Sequence, residues 1–208
     1  MIRFLKQSIT NFRHTGALCP SGRMLAKEMT RSIKEHDGPR RLLEVGPGTG
    51  SFTRPILKCL KPGDRFDIVE INPEFCRQLE ERALTEFRAM NPGIEVNLHQ
   101  SPIESADIPG NYDHIVCGLP FNNFEPSLVR SIFKRMIELL APGGDLCYFE
   151  YAAVRAIKAP LTQSSTRAGL RRIEAHGRSM MRRHRGRRQL VFSNIPPAVA
   201  IRLQRATA

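Results

Sequence analysis

Between residues 41 and 151 short apolar runs alternate with helical stretches, and that alternation limits the available folds more than any other feature. Residues 41–46 form an apolar run that ends in glycine, read as a buried strand. Residues 52–60 are patterned as a helix, closed by Pro62 and Gly63. Residues 66–70 read as a second strand. Asn72 and Pro73 are an N-cap and first-turn pair for a helix to about residue 90, stopped by Pro92-Gly93. Residues 94–99 and 112–118 read as the next two strands. A helix over 126–140 follows, ended by Pro142-Gly143-Gly144, and then a fifth strand over 146–151. Strands joined by helices of this length predict an α/β, Rossmann-like, doubly wound parallel sheet with right-handed crossovers. Two further strand-like runs, 189–193 and 198–203, lie either side of Asn194-Ile195-Pro196-Pro197. They predict a C-terminal antiparallel hairpin, giving a mostly parallel seven-stranded sheet. Residues 160–188 are poorly patterned, and no internal repeat is visible.

The chain has 208 residues, of which 41% are hydrophobic, enough for one domain with a real core. Its 32 Lys and Arg outnumber its 20 Asp and Glu, a net charge of +12. The excess is uneven. Residues 39–154 hold twelve basic and sixteen acidic side chains, whereas residues 155–208 hold thirteen basic ones and only Glu174. A mildly acidic body therefore carries basic ends, which divides the chain into an N-terminal arm (residues 1–38) and a domain (residues 39–208) with a basic insertion over about 160–188. Such a balance points to a polyanionic partner, nucleic acid or an anionic membrane surface. The run Arg182, Arg183, Arg185, Arg187 and Arg188 is either a solvated charged loop or an anion-binding surface, because like charges this dense repel one another unless neutralised. No apolar stretch is long enough to cross a bilayer. The N-terminus lacks a signal-peptide pattern, so a cytoplasmic location is expected. Five cysteines with no C-x-x-C spacing fit reduced thiols. The six histidines form no ligand cluster, so no metal is expected.

The most informative stretch is Glu44-Val45-Gly46-Pro47-Gly48-Thr49-Gly50, which follows a strand and opens a helix. Glycines there let the backbone turn tightly and approach a ligand closely. Glu44, two residues before the first glycine, would repel a pyrophosphate but suits a ligand with a cationic amino group. Glu70 ends the second strand, 20 residues after Gly50, at the position from which an acid accepts both ribose hydroxyls of a nucleoside. The bland alternative is a tight turn with a surface glutamate at a strand end.

Over roughly residues 40–155 these features resemble the class I S-adenosyl-L-methionine-dependent methyltransferases. The resemblance implies that Gly46, Gly48, Thr49 and Gly50 pack under the cofactor. It implies further that Glu70 holds the ribose and that Glu44 orients the amino-acid part or its waters. The family usually has an acid after the third strand for the adenine amine; here Gln100 and Ser101 stand there, with Gln100 able to accept through its amide oxygen. Ile71 and Ile103 are walls for the adenine or ordinary core. The resemblance also implies that Gly118, at the end of the fourth strand, faces the cofactor sulfonium.

Enzymes that methylate the adenine amine carry Asn or Asp before Leu-Pro and an aromatic residue that stacks on the flipped base. This chain has Leu119-Pro120-Phe121 but Gly118 in place of the Asn, and Asn122 and Asn123 come too late to substitute. A second resemblance, to bacterial phospholipid N-methyltransferases and their ornithine-lipid relatives, spans nearly the whole chain. It is carried by Gly16-Ala17-Leu18-Cys19-Pro20-Ser21, Gly118-Leu119-Pro120, Tyr151 and Asn194-Ile195-Pro196-Pro197-Ala198. It implies methyl transfer to an amino-lipid headgroup. Pro20 and Ser21 would close over the site, Leu119 and Pro120 would line it, and Arg182 and Arg185 would hold the lipid phosphate or the bilayer. Tyr151 is the preferred group to take a hydrogen bond from the amine or relay its proton, with Tyr148 and Glu150 as alternatives. Ile2, Leu5, Ile9 and Phe12 form a helical stripe flanked by Arg3, Lys6 and Arg13, either a membrane-surface helix or a cap on the sheet. The implied location is the inner face of the cell membrane, with no stable nucleic-acid partner. The alternatives are an rRNA adenine N6-methyltransferase and a non-enzymatic binding module on the same scaffold.

Overall fold

The computed structural model describes residues 20–35, 38–121, 124–151, 164–192, 194 and 197–207. The N-terminal stripe, Gly16 to Cys19, Asn122, Asn123 and part of the Asn194–Pro197 motif lie outside the described residues. Helix α1 (Pro20–Met29) leads to β1 (Arg41–Val45), α2 (Thr53–Leu57) and β2 (Arg65–Glu70). Helix α3 (Pro73–Leu79) runs through a π-helical turn (Glu80–Leu84) into α4 (Thr85–Met90). Its N-cap is Asn72, whose side chain accepts from the Glu74 amide at 2.9 Å, with Pro73 at the first turn. Then come β3 (Glu95–Gln100), β4 (Tyr112–Cys117), α5 (Pro126–Leu139), β5 (Leu140–Tyr151), α6 (Ser164–Arg183), β6 (Arg187–Val191) and β7 (Ala198–Gln204).

The seven strands make one sheet in the order β3-β2-β1-β4-β5-β7-β6. The pairs among β1 to β5 are parallel, while β7 is antiparallel to both β5 and β6. Strand β7 therefore runs against the other six. Apolar side chains leave the sheet on both faces. Leu42, Phe66, Ile68 and Phe149 pack with α1 and α2 residues such as Met29 and Ile56. Leu43, Val45, Ile115 and Tyr148 pack with Phe133 and Met136 of α5 and with Ile173 and Met180 of α6. This is the three-layer solution that covers both faces of a parallel sheet. At the amino-terminal edge Arg40 is fully buried. It pairs with Asp64 and donates to the carbonyls of Ile33 and Cys59, joining the α1 connection, the α2 connection and the start of β2.

Two elements differ from the sequence expectation. Strand β5 begins at Leu140 rather than 146, because Leu140 pairs with Tyr112 while Asp145 pairs with His114. The Pro-Gly-Gly stretch between them bulges out, with Gly143 at φ 80°. The second is α6, a 20-residue helix where no pattern was expected. Over its described side chains, from 171 on, the buried face is narrow, with Ile173 and Met180 seven residues apart and Gly177 between them, and exposed arginines at 171, 172, 178, 182 and 183 dilute the apolar period.

Candidate functional site

In this strand order the chain leaves β1 toward β2, while β4 lies on the other side of β1, so a crevice opens at the carboxyl ends of β1 and β4. Gly46 continues β1, its amide donating to the Val69 carbonyl at 2.9 Å. Gly118 continues β4, its amide donating to the Val45 carbonyl at 2.8 Å. The two ends are pressed together: a Cβ on Gly118 would lie 2.5 Å from the Gly46 carbonyl oxygen, and one on Gly46 would strike the Leu119 side chain. Gly48 is different. Its backbone is left-handed, φ 56°, yet a Cβ there would meet nothing within 4 Å. Its hydrogen face looks onto open space, which is the cradle that a flat ligand pressed on the bend requires.

Glu44 sits beneath this bend. It is fully buried, and neither carboxyl oxygen has a hydrogen-bond partner. Burial pushes its pKa up to about 8. The nearby Glu70 adds to the rise, while Thr53, close by but short of full hydrogen-bond geometry, draws it down. An orphaned buried carboxyl is costly. A ligand ammonium is the group that would offset that cost.

Glu70 is 5% exposed and is held by backbone amides, accepting from Asn72 at 2.8 Å on Oε1 and from Gly48 at 3.1 Å on Oε2. Burial raises its pKa, and the Asn72, Gly48 and Ile71 amides offset part of the rise. Each oxygen keeps a lone pair for a ribose hydroxyl. Glu70 thus both ties the glycine bend to the end of β2 and faces the crevice rim. Gln100 stands opposite it in register on β3 and is exposed, with Ser101 half-buried beside it. Ile71 is half-buried at the same rim, whereas Ile103 is 3% exposed and belongs to the core with Val69, which decides between its two readings. Thr49 is exposed on the bend and Gly50 is buried under it.

The glycine bend, Glu44 and Glu70 fit S-adenosyl-L-methionine. The left-handed bend has room for its adenosyl group, the buried acid matches its ammonium, and the rim acid matches its ribose. Thr53 and Phe52 complete this side and were not singled out from the sequence. Phe52 packs edge-on against Phe149 at 5.8 Å, and Phe149 against Tyr151 at 5.2 Å. An apolar residue just after the glycine bend was the available signal.

On the acceptor side, Tyr151 closes β5, three residues beyond the Cys117–Tyr148 rung. It is half-buried and burial raises its pKa, so it stands as a neutral phenol. Tyr148 is 1% exposed between Phe121 and Phe133, too deep to meet an acceptor; Glu150 is half-buried. Leu119 and Pro120 are half-buried at the mouth, Leu119 also covering Gly46. Pro20 and Ser21 open helix α1. Phe121 is buried at 4.7 Å from Phe133, so its ring is a core anchor and has no free face for a flipped base.

Arg182 and Arg185 stand apart from these residues. Helix α6 has 20 residues, about 30 Å, and carries the chain from the carboxyl edge of the sheet to its amino edge. Arg185 there lines a cleft of about 470 Å³ with Asp113, Gly143 and Asp145, at the starts of β4 and β5. The two arginines are therefore not brought to the crevice and do not hold a group at its mouth. Among the described residues no group of three or more His, Cys, Asp or Glu is placed to hold a metal ion, and no helix is long and apolar enough to cross a membrane.

Residues 43–146 match the family described as "Methyltransferase domain". The chain is 33% identical over 143 residues to an ornithine lipid N-methyltransferase of Singulisphaera acidiphila, an alignment covering 64% of this chain and 70% of that protein. Among solved structures, the 1,6-didemethyltoxoflavin-N1-methyltransferase of Burkholderia thailandensis, with bound S-adenosylhomocysteine, superposes with a TM-score of 0.64. It is 14% identical, over 97% of this chain and 85% of that one. The CurJ carbon methyltransferase superposes with a TM-score of 0.62 at 19% identity, over 89% of this chain but only 54% of that one. These two likenesses are of fold.

Proposed function

Because the chain belongs to the methyltransferase-domain family, with S-adenosyl-L-methionine as its cofactor, we propose that it transfers the cofactor's methyl group to the headgroup amine of an amino lipid at an anionic membrane surface. The observation that carries the cofactor half is the buried, partnerless Glu44 beneath an open glycine bend. The acceptor half is supported by the ornithine lipid N-methyltransferase relative and by the basic C-terminal third. Ornithine lipid and phosphatidylethanolamine both present a primary amine beside an anionic group.

When bound, the cofactor supplies a methyl group activated by a positively charged sulfur. Glu44 would hold its ammonium and Glu70 its ribose. Gly118, kept free of a side chain by the Gly46 carbonyl, leaves the floor of the crevice open for the acceptor nitrogen to approach the methyl carbon in line. The amine must first lose a proton. The Tyr151 phenol accepts a hydrogen bond from the amine N–H and orients the lone pair, and the proton passes to water at the rim. The cofactor would supply the methyl carbon to the nitrogen lone pair, its S–C bond electrons leaving with the sulfur. Positioning in a closed site supplies much of the rate, so no covalent enzyme intermediate is needed.

The adenine-methylating alternative gains nothing from the geometry, since an Asn at 118 would collide with the Gly46 carbonyl and Phe121 is buried. The test is radiolabelled methyl transfer to vesicles of phosphatidylethanolamine or ornithine lipid, with and without an anionic lipid. Labelled lipid product is expected, faster with the anionic lipid. Absence of transfer to any amino lipid, with the cofactor bound, would overturn the assignment.

A further inference from the structure

Strand β6 is the last in the sheet, so one side of its backbone has no strand partner among the described residues, and four of its five residues are exposed. Among the described residues four large hydrophobic side chains are exposed, and two of them fall here: Leu190 at 37% and, just past the strand, Phe192 at 77%. Open edges are commonly blunted by charge. Arg187 and Arg188 account for the start of the strand in that way, but not for a phenylalanine left in water at its end.

The position of that phenylalanine gives it meaning. Strand β6 is antiparallel to β7, which is antiparallel to β5, so β6 points the same way as the strands that end at the crevice. Val191 pairs with Ala198, and Ala198 pairs with Tyr151. Phe192 is one residue beyond that rung, two strand spacings or about 10 Å across the sheet from the strand that carries Tyr151. Arg188 and Leu190 share a face by the two-residue period, and none of the arginines from 182 to 188 makes an ion pair among the described residues. Residues 155–208 hold thirteen basic side chains against one acid. One side of the molecule thus presents unpaired arginines toward the amino edge and an apolar tip at the carboxyl edge, beside the acceptor side of the crevice.

We propose that the β6 edge is the surface by which this chain docks on an anionic bilayer, with Phe192 and Leu190 entering the headgroup–acyl boundary and Arg188, on the same face, against lipid phosphates. This deepens the amino-lipid reading and rests on it. It also gives the arginine run a place: the charges bind the surface, away from the reacting centre, and the phenylalanine sets the crevice rim at headgroup depth.

The chain contains no tryptophan, so a single introduced one reports alone. Phe192→Trp is compared with Met90→Trp, a site 66% exposed at the end of α4, beside β3 at the opposite end of the sheet. The probe is vesicles of phosphatidylcholine and phosphatidylglycerol with brominated acyl chains. Blue-shifted, quenched emission is expected from the variant at 192 and unchanged emission from the one at 90. Phe192→Asp should weaken vesicle binding by about tenfold, and separately Arg188→Ala by about fivefold. Quenching at both sites or at neither, or full vesicle affinity in Phe192→Asp, would overturn the proposal. Methyl transfer to detergent-dispersed amino lipid keeps the two readings apart. Phe192→Asp should retain it, whereas its absence from the unaltered chain removes the substrate assignment and leaves the docking result to be read from the fluorescence.

Discussion

Binding of S-adenosyl-L-methionine, or of its demethylated product, should release a proton from Glu44. The free protein holds this carboxyl in full burial, unpartnered, with a pKa of about 8. At pH 7 the protonated fraction is 1/(1 + 10^(7−8)), or about 0.9. An ammonium placed against Glu44 favours the ionised form, so the bound state holds almost no proton there and about 0.9 proton leaves per ligand. By linkage, affinity then rises nearly tenfold from pH 6 to pH 7 and flattens toward pH 8, where the ligand's own α-amino group begins to lose its charge. The assay is calorimetry in buffers of different ionisation enthalpy, from which the proton count follows directly. Glu44→Gln should abolish the release and weaken binding at pH 7.5. The free protein carries the reverse sign. A carboxyl whose folded pKa is raised above its unfolded value costs stability as pH climbs from about 4.5 to about 8, on the order of 5 kcal/mol by the upper end, because the unfolded chain ionises and the fold does not. Binding without proton release, or release that persists in Glu44→Gln, would refute the placement of the ammonium on this acid.

The other expected outcomes concern the bend, the acceptor side and the sheet. Gly118→Ala places a Cβ 2.5 Å from the Gly46 carbonyl oxygen and should cost about 1–3 kcal/mol in thermal or denaturant unfolding, with cofactor affinity lost as the crevice splays. Gly48→Ala meets no atom but strains a left-handed backbone by about 1–2 kcal/mol and fills the cradle, so calorimetry should show a cofactor affinity loss larger than the stability loss. Tyr151→Phe should lower kcat about a hundredfold while leaving cofactor Kd unchanged, since it removes only the hydroxyl at the acceptor rim. Burial opposes ionisation of Asp64 and Asp67. The Arg40 hydrogen bond to Asp64, and those of Arg65, His99 and Tyr112 to Asp67, outweigh it and hold both carboxyls low. Their stabilisation is complete above the unfolded value near pH 4 and is lost as pH falls through the folded values, so Asp64→Asn and Asp67→Asn should flatten the acid limb of a Tm–pH curve.

What could be read from the chain before its fold was known follows a physical boundary. The crevice is built from local chemistry. Three glycines, an acid two residues ahead of them and an acid at the next strand's tip are each fixed by backbone geometry within one βαβ unit, so residue type and spacing were enough to place Glu44 and Glu70. The seven-stranded sheet was legible for the same reason, because every strand bears its own two-residue or all-apolar signature. Helix α6 was not, since among its described side chains only Ile173 and Met180 are fully buried and its arginines hide the period. That one omission displaced the acceptor reading. With residues 160–188 unpatterned, Arg182 and Arg185 could be read on the lipid phosphate or on the bilayer; at the end of a helix of about 30 Å they lie toward the amino edge of the sheet. Phe121 shows the same boundary in reverse. The Leu-Pro-Phe string suggested an aromatic platform, but whether a ring faces a substrate or a core is set by what packs on it, here Phe133 and Tyr148 from α5 and β5. A cofactor site made by one local unit is written in consecutive residues. An acceptor site made by elements brought together over more than 150 residues is settled only by the packing that joins them, and for that reason the rim around Tyr151, rather than the densest run of charge, is where acceptor specificity should be sought.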